Sequence, residues 1–563
     1  MIQTKSGTVL VVVLTLFFLL LATKANSLSI DTSLAKDVVH KEFKRVFKFY
    51  MGHAFPHDLL LPANCKWKDQ YGGNAMTLID NLDTLIVFGE KATFAHALER
   101  LKEMSLPNFK VDVNVNCFES NIRFMGGLLS AHLQAKNLTI TDRSGYLLQK
   151  AAELGAQLLP AFATPTGIPF GSINFRDGVH PNESNRTSLA SAGTYTLEWG
   201  MLSKLTKNPV YYRKARGSID SLWASRTKDG LLSEEINIKS GNWSSNLAGI
   251  GGNSDSYFEY LLKSGVMYND DELLGMFQES RQVIDRYLRF NRVWFRDVSI
   301  YNIFEQRYVF SSLMAFWPGV ELLSGRDKIA RDMVDSYYQM WRKFGGLPEG
   351  YKLNQNSLIE KFTSYYLRPE LIESIYYLYT KTQDPWYILI AKDILFGLLS
   401  LNKAKCGFAS RDLYHNKLKN EMDSFFLSET LKYLYLIFDK ENFINKGNYI
   451  FSTEAHYFPV LPKFDSEKNF KNFKSESHLN HRNPYLLYEK PPKLNCLKKG
   501  VLFDPKVNQK NKYKWKSCKR IKPFREKLSI MGLDFIENKH SKYTGVNALR
   551  GYSNNYGIPT GFN

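Results

Sequence analysis

The run Ser424-Phe425-Phe426-Leu427-Ser428-Glu429-Thr430-Leu431-Lys432-Tyr433-Leu434-Tyr435 is apolar on nearly every side of a helical wheel, with one carboxylate, Glu429, set inside it. A helix of that kind belongs in an interior, and a buried Glu requires a partner such as a cation or ordered water. On either side of this run, apolar residues recur at three- and four-residue intervals over 38–51, 122–135, 146–159, 210–225, 255–264, 271–287, 328–344, 371–381, 386–399 and 424–438. Many helices and few convincing strands predict an all-α architecture. Thr164-Pro165-Thr166-Gly167-Ile168-Pro169 and Gly345-Gly346-Leu347-Pro348-Glu349 read as loops and small hairpins at one end. No Pro/Ser-rich linker and no solenoid period divides the region, so residues 28–458 are expected to form one large domain.

The 563 residues are 44% apolar and 14% aromatic, enough for a large core and incompatible with a wholly disordered or fibrous chain. The formal charge of +19 is uneven: residues 459–563 hold 22 Lys and Arg against 8 Asp and Glu, a net +14. The excess therefore sits in a basic, partly disordered C-terminal tail. With no RNP, KH, helix-turn-helix or Cys/His finger pattern, nucleic acid is not an expected partner. Lys5, the apolar run 9–22 and the small residues through Ala25 and Ser27 have the order of a signal peptide over residues 1–27. No later stretch reaches spanning length, so the mature chain is expected to lack a transmembrane segment and to lie in a lumen. Sequons at Asn137, Asn182, Asn185 and Asn242 fit that compartment. The five cysteines, Cys65, Cys117, Cys406, Cys496 and Cys518, allow at most two internal bridges, and spacing alone assigns none of them.

Four segments place acids among apolar and aromatic residues. In Phe118-Glu119-Ser120-Asn121-Ile122-Arg123 the Glu and Arg share a helical face; taken alone, this is a surface ion pair. In Asp255-Ser256-Tyr257-Phe258-Glu259-Tyr260 two like charges stand one turn apart; taken alone, this is an N-capping Asp with an exposed Glu. Pro369 places Glu370 near the positive end of a helix, where an ionised carboxylate is stabilised. Glu429 is the fourth, with Ser452-Thr453-Glu454-Ala455-His456 close behind. Together they predict a cavity lined by carboxylates and aromatic rings. Rings pack on the apolar faces of sugars, paired carboxylates cleave glycosidic bonds, and oxygen donors without thiolates favour calcium over zinc.

The strings F-E-S-N-I-R-F-M-G-G-L-L-S-A-H, T-P-T-G-I-P-F-G, D-S-Y-F-E-Y-L, L-R-P-E-L-I-E-S, S-F-F-L-S-E-T-L-K-Y-L-Y-L and S-T-E-A-H resemble class I α-mannosidases of glycoside hydrolase family 47 over about residues 35–457. Within the family the sequence is similar to the endoplasmic-reticulum degradation-enhancing α-mannosidase-like branch, nearest its second member. The segment 310–319 resembles that branch and lacks the histidine expected in processing mannosidases.

The resemblance implies an (α/α)7 barrel with small β-hairpin elements and a Ca2+ ion beneath a sugar pocket. It implies inverting removal of α-1,2-linked mannose from the high-mannose N-glycans of misfolded glycoproteins in the endoplasmic reticulum lumen, directing them to degradation. By motif, Glu119, Asp255 and Glu370 match the catalytic acids, with Glu370 as base and the general acid left open between Glu119 and Asp255. Thr453 matches the direct metal ligand. Arg123, Glu198, Glu349, Arg368, Glu373 and Phe425 match sugar-pocket positions, and Glu429 and Glu454 match holders of metal-bound water or sugar hydroxyls. Cys65 and Cys406 match a bridged pair that engages a thioredoxin-like oxidoreductase. Cys117, Trp199 and a short 438–449 segment depart from the family pattern. The alternative is a catalytically weak mannose-binding lectin that delivers the same clients.

Overall fold

A computed structural model describes residues 31–137 and 145–460. The expected signal peptide at 1–27, all of the expected 459–563 tail after residue 460, Cys496 and Cys518 lie outside them. Among the described residues, fourteen helical segments alternate between an outer and an inner layer. The outer helices are Ser33–His53, Lys91–Glu103, Tyr146–Leu158, Val210–Ala224, Asp271–Val283, Asp327–Phe344 and Pro385–Leu401. The inner segments are Met76–Asp80 with Leu82–Val87, Ser120–Met125 running into Gly126–Asn137, Leu189–Gly193 with Thr196–Thr206, Asp255–Met267, Ser312–Phe316 running into Trp317–Leu323, Glu370–Thr382, and Phe426–Leu431 running into Lys432–Phe438. This is the expected (α/α)7 barrel.

The hydrophobic pattern sorts the layers. Asp327–Phe344 buries Ala330, Val334, Tyr337 and Trp341 and turns Arg342 and Lys343 outward, whereas every residue of Lys432–Phe438 is buried. The ring closes where Lys432 of the last inner helix meets Asp83 of the first at 3.0 Å, both side chains fully buried. Inner helices connect to the next outer helix by short turns such as 268–270, 324–326 and 383–384. The opposite end carries the long connections 225–254, 289–311, 345–369 and 402–425, laced together by two- and three-stranded sheets. Glu119, Asp255 and Glu370 all lie at inner-layer N-termini on this long-loop end.

A hairpin, Tyr449–Phe451 paired with Tyr457–Pro459, plugs the barrel and turns through 452–456. Phe451 packs against Tyr376, Tyr377 and Tyr433. Gly126 and Gly127 give the turn its room: a Cβ on the first would stand 2.5 Å from His456 Cδ2, and one on the second 2.6 Å from the Ile79 carbonyl oxygen.

The periodicity located the outer helices well but passed over inner segments Met76–Asp80, Leu82–Val87, Leu189–Gly193, Thr196–Thr206 and Trp317–Leu323, and the outer helix Lys91–Glu103. The short inner segments are buried nearly all round, so they have no polar face to create a period. The predicted continuous helix over 424–438 is also corrected, because 426–431 is wound as a π-turn.

Candidate active site

The hairpin turn at the barrel axis meets four inner segments. Glu454 accepts from Arg123 Nη1 at 2.7 Å, and the Thr453 N–H reaches Tyr260 Oη at 3.4 Å. Lys432 Nζ donates to the Ala455 carbonyl at 2.8 Å, and His456 lies 3.1 Å from both Asp80 and Asp83. Arg123 forms the next layer. Its Nε donates to Glu119 Oε2 at 2.8 Å, its Nη1 also donates to Ser424 Oγ at 2.8 Å, and its guanidinium lies 5.4 Å from the centre of the Phe425 ring. Arg368 approaches the same ring at 5.8 Å and clasps Glu349 through Nε at 2.6 Å and Nη2 at 2.9 Å. Glu119 and Arg123 are thus no surface pair: the guanidinium is buried and bridges three segments.

Glu370 opens the sixth inner helix beside a small hollow lined by Ser312, Trp341, Leu347, Tyr365 and Ile394. Leu367, just before Arg368, holds φ +63°, a left-handed conformation that a bulky residue adopts at a cost of about 1–3 kcal/mol. Thr430 Oγ1 donates to its carbonyl at 2.7 Å and secures the bend. Burial pushes the Glu370 carboxyl up to about 8, against the opposing charge of Arg368. The helix N-terminus expected to favour the ionised form supplies only about 0.3–1 kcal/mol, and desolvation opposes it.

Ser254, not Asp255, occupies the N-cap position of its helix, and Asp255 Oδ1 accepts the Ser256 N–H at 2.7 Å. Burial raises Asp255 to about 6, with the Ser256 N–H opposing and Glu259 adding to the rise. Glu259 is not exposed but buried, paired with Lys263 one turn on, and Lys263 also lies 3.4 Å from Glu373. The cation on the same face is what offsets the like charges. Burial lifts Glu373 to about 7, with Lys263 opposing. Glu198 is fully buried, accepting from Tyr260 Oη at 2.5 Å and Asn121 Nδ2 at 3.2 Å, and burial raises it to about 7. Burial, with Glu454 as the largest neighbouring charge, holds Glu429 well above the carboxylate range.

Residues able to hold a cation here are oxygen donors: Thr453, Glu429 and Glu454. Among the described residues no three His, Cys, Asp or Glu side chains form a ready-made metal cage, and His456 is committed through both ring nitrogens to aspartates. That donor set fits a hard cation taking hydroxyl, main-chain and water oxygens, and crowded acids that resist ionising together are what such a charge would relieve.

Sequence reasoning did not single out Asp80, Asp83, Lys432, Lys263 or Tyr260; their partners lie far along the chain, and only Lys263, four residues after Glu259, carried a local signal. Two site residues, Arg123 and Glu429, ride on π-turns, Ser120–Met125 and Phe426–Leu431. Such turns are rare and frequent at functional sites.

The glycosyl hydrolase family 47 model matches residues 42–460. The chain belongs to this family. Among family 47 relatives it is 37% identical over 553 residues to ER degradation-enhancing alpha-mannosidase-like protein 2 of Homo sapiens, covering 90% of this chain and 95% of that protein. It is 40% identical over 439 residues to Alpha-mannosidase I MNS4 of Arabidopsis thaliana, covering 76% and 70% of the two chains. The solved alpha-1,2-mannosidase from Trichoderma reesei superposes with a TM-score of 0.69 at 26% identity, covering 76% of this chain and 99% of that one. Cys65 and Cys406, matched to a bridged pair by the family 47 resemblance, are disulfide-bonded with Cα atoms 5.5 Å apart; Cys117 is buried and has no disulfide partner among the described residues. Asn182 and Asn242 are exposed, Asn185 is half-buried, and the Asn137 side chain lies outside the described residues. No helix among the described residues is long and apolar enough to cross a membrane.

Proposed function

We propose that this chain is an endoplasmic-reticulum luminal, calcium-dependent, inverting α-1,2-mannosidase that trims high-mannose N-glycans on misfolded glycoproteins and so directs them to degradation. The observation that carries the reading is that Glu119, Asp255 and Glu370 stand at inner-layer N-termini on one end of a closed helical barrel, the first bonded to Arg123 and the other two in the field of Arg368, the two cations that flank the Phe425 ring. In this reading Glu370 deprotonates the attacking water, and Glu119 or Asp255 protonates the departing oxygen. Phe425 offers its face to the sugar, while Arg123, Glu198, Glu349, Arg368 and Glu373 grip its hydroxyls. Thr453 would hold calcium, with Glu429 and Glu454 contacting its waters or the sugar hydroxyls. Bound calcium would orient sugar hydroxyls, and it polarises water too weakly to generate the nucleophile as zinc does.

One observation favours a second reading, a mannose-binding lectin with weak catalysis: burial pushes the Glu370 carboxyl up to about 8, so near neutral pH the ionised base competes with its protonated form. Incubating the full chain with Man9GlcNAc2 and calcium, alone and with a thioredoxin-like oxidoreductase, then profiling the glycans, separates the two. Loss of α-1,2-linked mannose supports the enzyme. Persistent Man9GlcNAc2 with retained binding supports the lectin.

A further inference from the structure

The loop ahead of the first inner segment is gathered around one buried carboxylate. Asp58 Oδ2 accepts the N–H groups of Gln70 at 2.9 Å, Tyr71 at 2.6 Å and Gly73 at 3.3 Å, and Oδ1 accepts that of Asn74 at 2.9 Å. Asn74 donates its side-chain amide to the Tyr71 carbonyl at 2.6 Å and accepts the Asn108 N–H at 2.6 Å. Gly72, at φ +76°, packs so closely that a Cβ would stand 2.9 Å from Val111 Cγ2. The loop is therefore fixed to the 104–116 segment that delivers Glu119.

What this scaffold presents is Tyr71. Its ring meets Phe124, the neighbour of Arg123, edge to face with centroids 5.3 Å apart. The residue is only 6% exposed, and its hydroxyl, which makes no hydrogen bond among the described residues, still reaches solvent. The charges acting on it are those of the cavity: burial and then the Glu119 carboxylate hold its proton on, with Arg123 opposing and Glu454 adding. It is a hydrogen-bonding group throughout the physiological range and never a proton donor in the catalytic sense. A rigidly placed, unpartnered hydroxyl that still reaches solvent, on a ring packed against Phe124 and within the field of Glu119, Arg123 and Glu454, is complementary to a ligand oxygen.

We infer that Tyr71 contacts the saccharide on the Glu119 side of the cavity, its hydroxyl bonding a sugar oxygen and helping to set which oligosaccharide fits. This rests on the glycan reading above. The test compares the full chain with Tyr71→Phe and Tyr71→Ala, measuring the Kd for Man9GlcNAc2, kcat and KM on the same glycan, and the melting temperature. Tyr71→Phe keeps the ring on Phe124, so melting should not change, while Kd and KM rise about three- to tenfold with a smaller change in kcat. Wild-type binding matched by equal Kd and KM in Tyr71→Phe overturns the Tyr71 contact alone. A wild-type chain that neither binds nor trims the glycan overturns the functional reading, and this inference falls with it. If Tyr71→Ala fails to fold, Tyr71→Phe decides.

Discussion

Asp83 and Glu429 are both buried carboxylates inside the same barrel, yet their surroundings push them in opposite directions. Asp83 is met by Lys432, His456 and Ser130, and those partners overcome its burial and hold it down to about 2. His456, between Asp80 and Asp83, is correspondingly raised to about 9. Glu429 faces other acids, Glu454 and Glu370 foremost after burial itself, and is driven up. The lower network is balanced charge for charge and fastens the first inner segment, the last inner helix and the plugging hairpin to one another. The cavity above carries more acid than base, an arrangement that only a ligand, a cation or bound protons can complete.

Removing one partner from the balanced network should have the largest structural effect. Lys432→Met leaves Asp83 buried without its strongest cation and is expected to cost about 3–5 kcal/mol in denaturant unfolding. A loss well below that range would mean the network is not what fastens the ring. Opening the long-loop end should cost less. Cys406→Ser frees the 54–75 connection from the 402–425 connection and is expected to cost about 2–4 kcal/mol, with wild type under reductant showing the same drop in melting temperature.

The pH dependence of the unbalanced cavity is a further contrast with the balanced network. Asp255 at about 6, Glu198 and Glu373 at about 7 and Glu370 at about 8 all sit above their ordinary values. Between about pH 5 and pH 8 the folded, cation-free chain keeps protons that the unfolded chain has released, so stability falls as pH rises. His456 contributes in the same direction, its stabilisation being lost as pH rises through about 9. Thermal melts at pH 5 and 8 should show the decline, Glu370→Gln should flatten it, and millimolar calcium should offset it at pH 8. A stability that rises from pH 5 to 8 without cation would contradict the raised acids.

How much of this was legible in the sequence follows from the range of each interaction. Outer helices such as Asp327–Phe344 advertise themselves because one face is polar, and Glu429 stood out because its helix has none. The acids Glu119, Asp255 and Glu370 were recognisable from their motifs, whereas the placement of Glu259 failed because its cation, Lys263, sat just beyond the motif considered. Asp80, Asp83 and Lys432 carry no local signal, since the Lys432–Asp83, His456–Asp80 and Ser428–Asp80 bonds each join residues more than 300 apart along the chain. π-turns and two-residue strands are set by packing and by hydrogen bonds across connections, which residue periodicity does not encode.

The most direct test of the claim that the unbalanced cavity does the chemistry is the rate of mannose release from Man9GlcNAc2 by Glu370→Gln, under conditions where the wild type trims. Release should fall about 10²–10⁴-fold while glycan binding is kept and the melting temperature at pH 5 is unchanged. Undiminished release would place the base elsewhere and contradict the account.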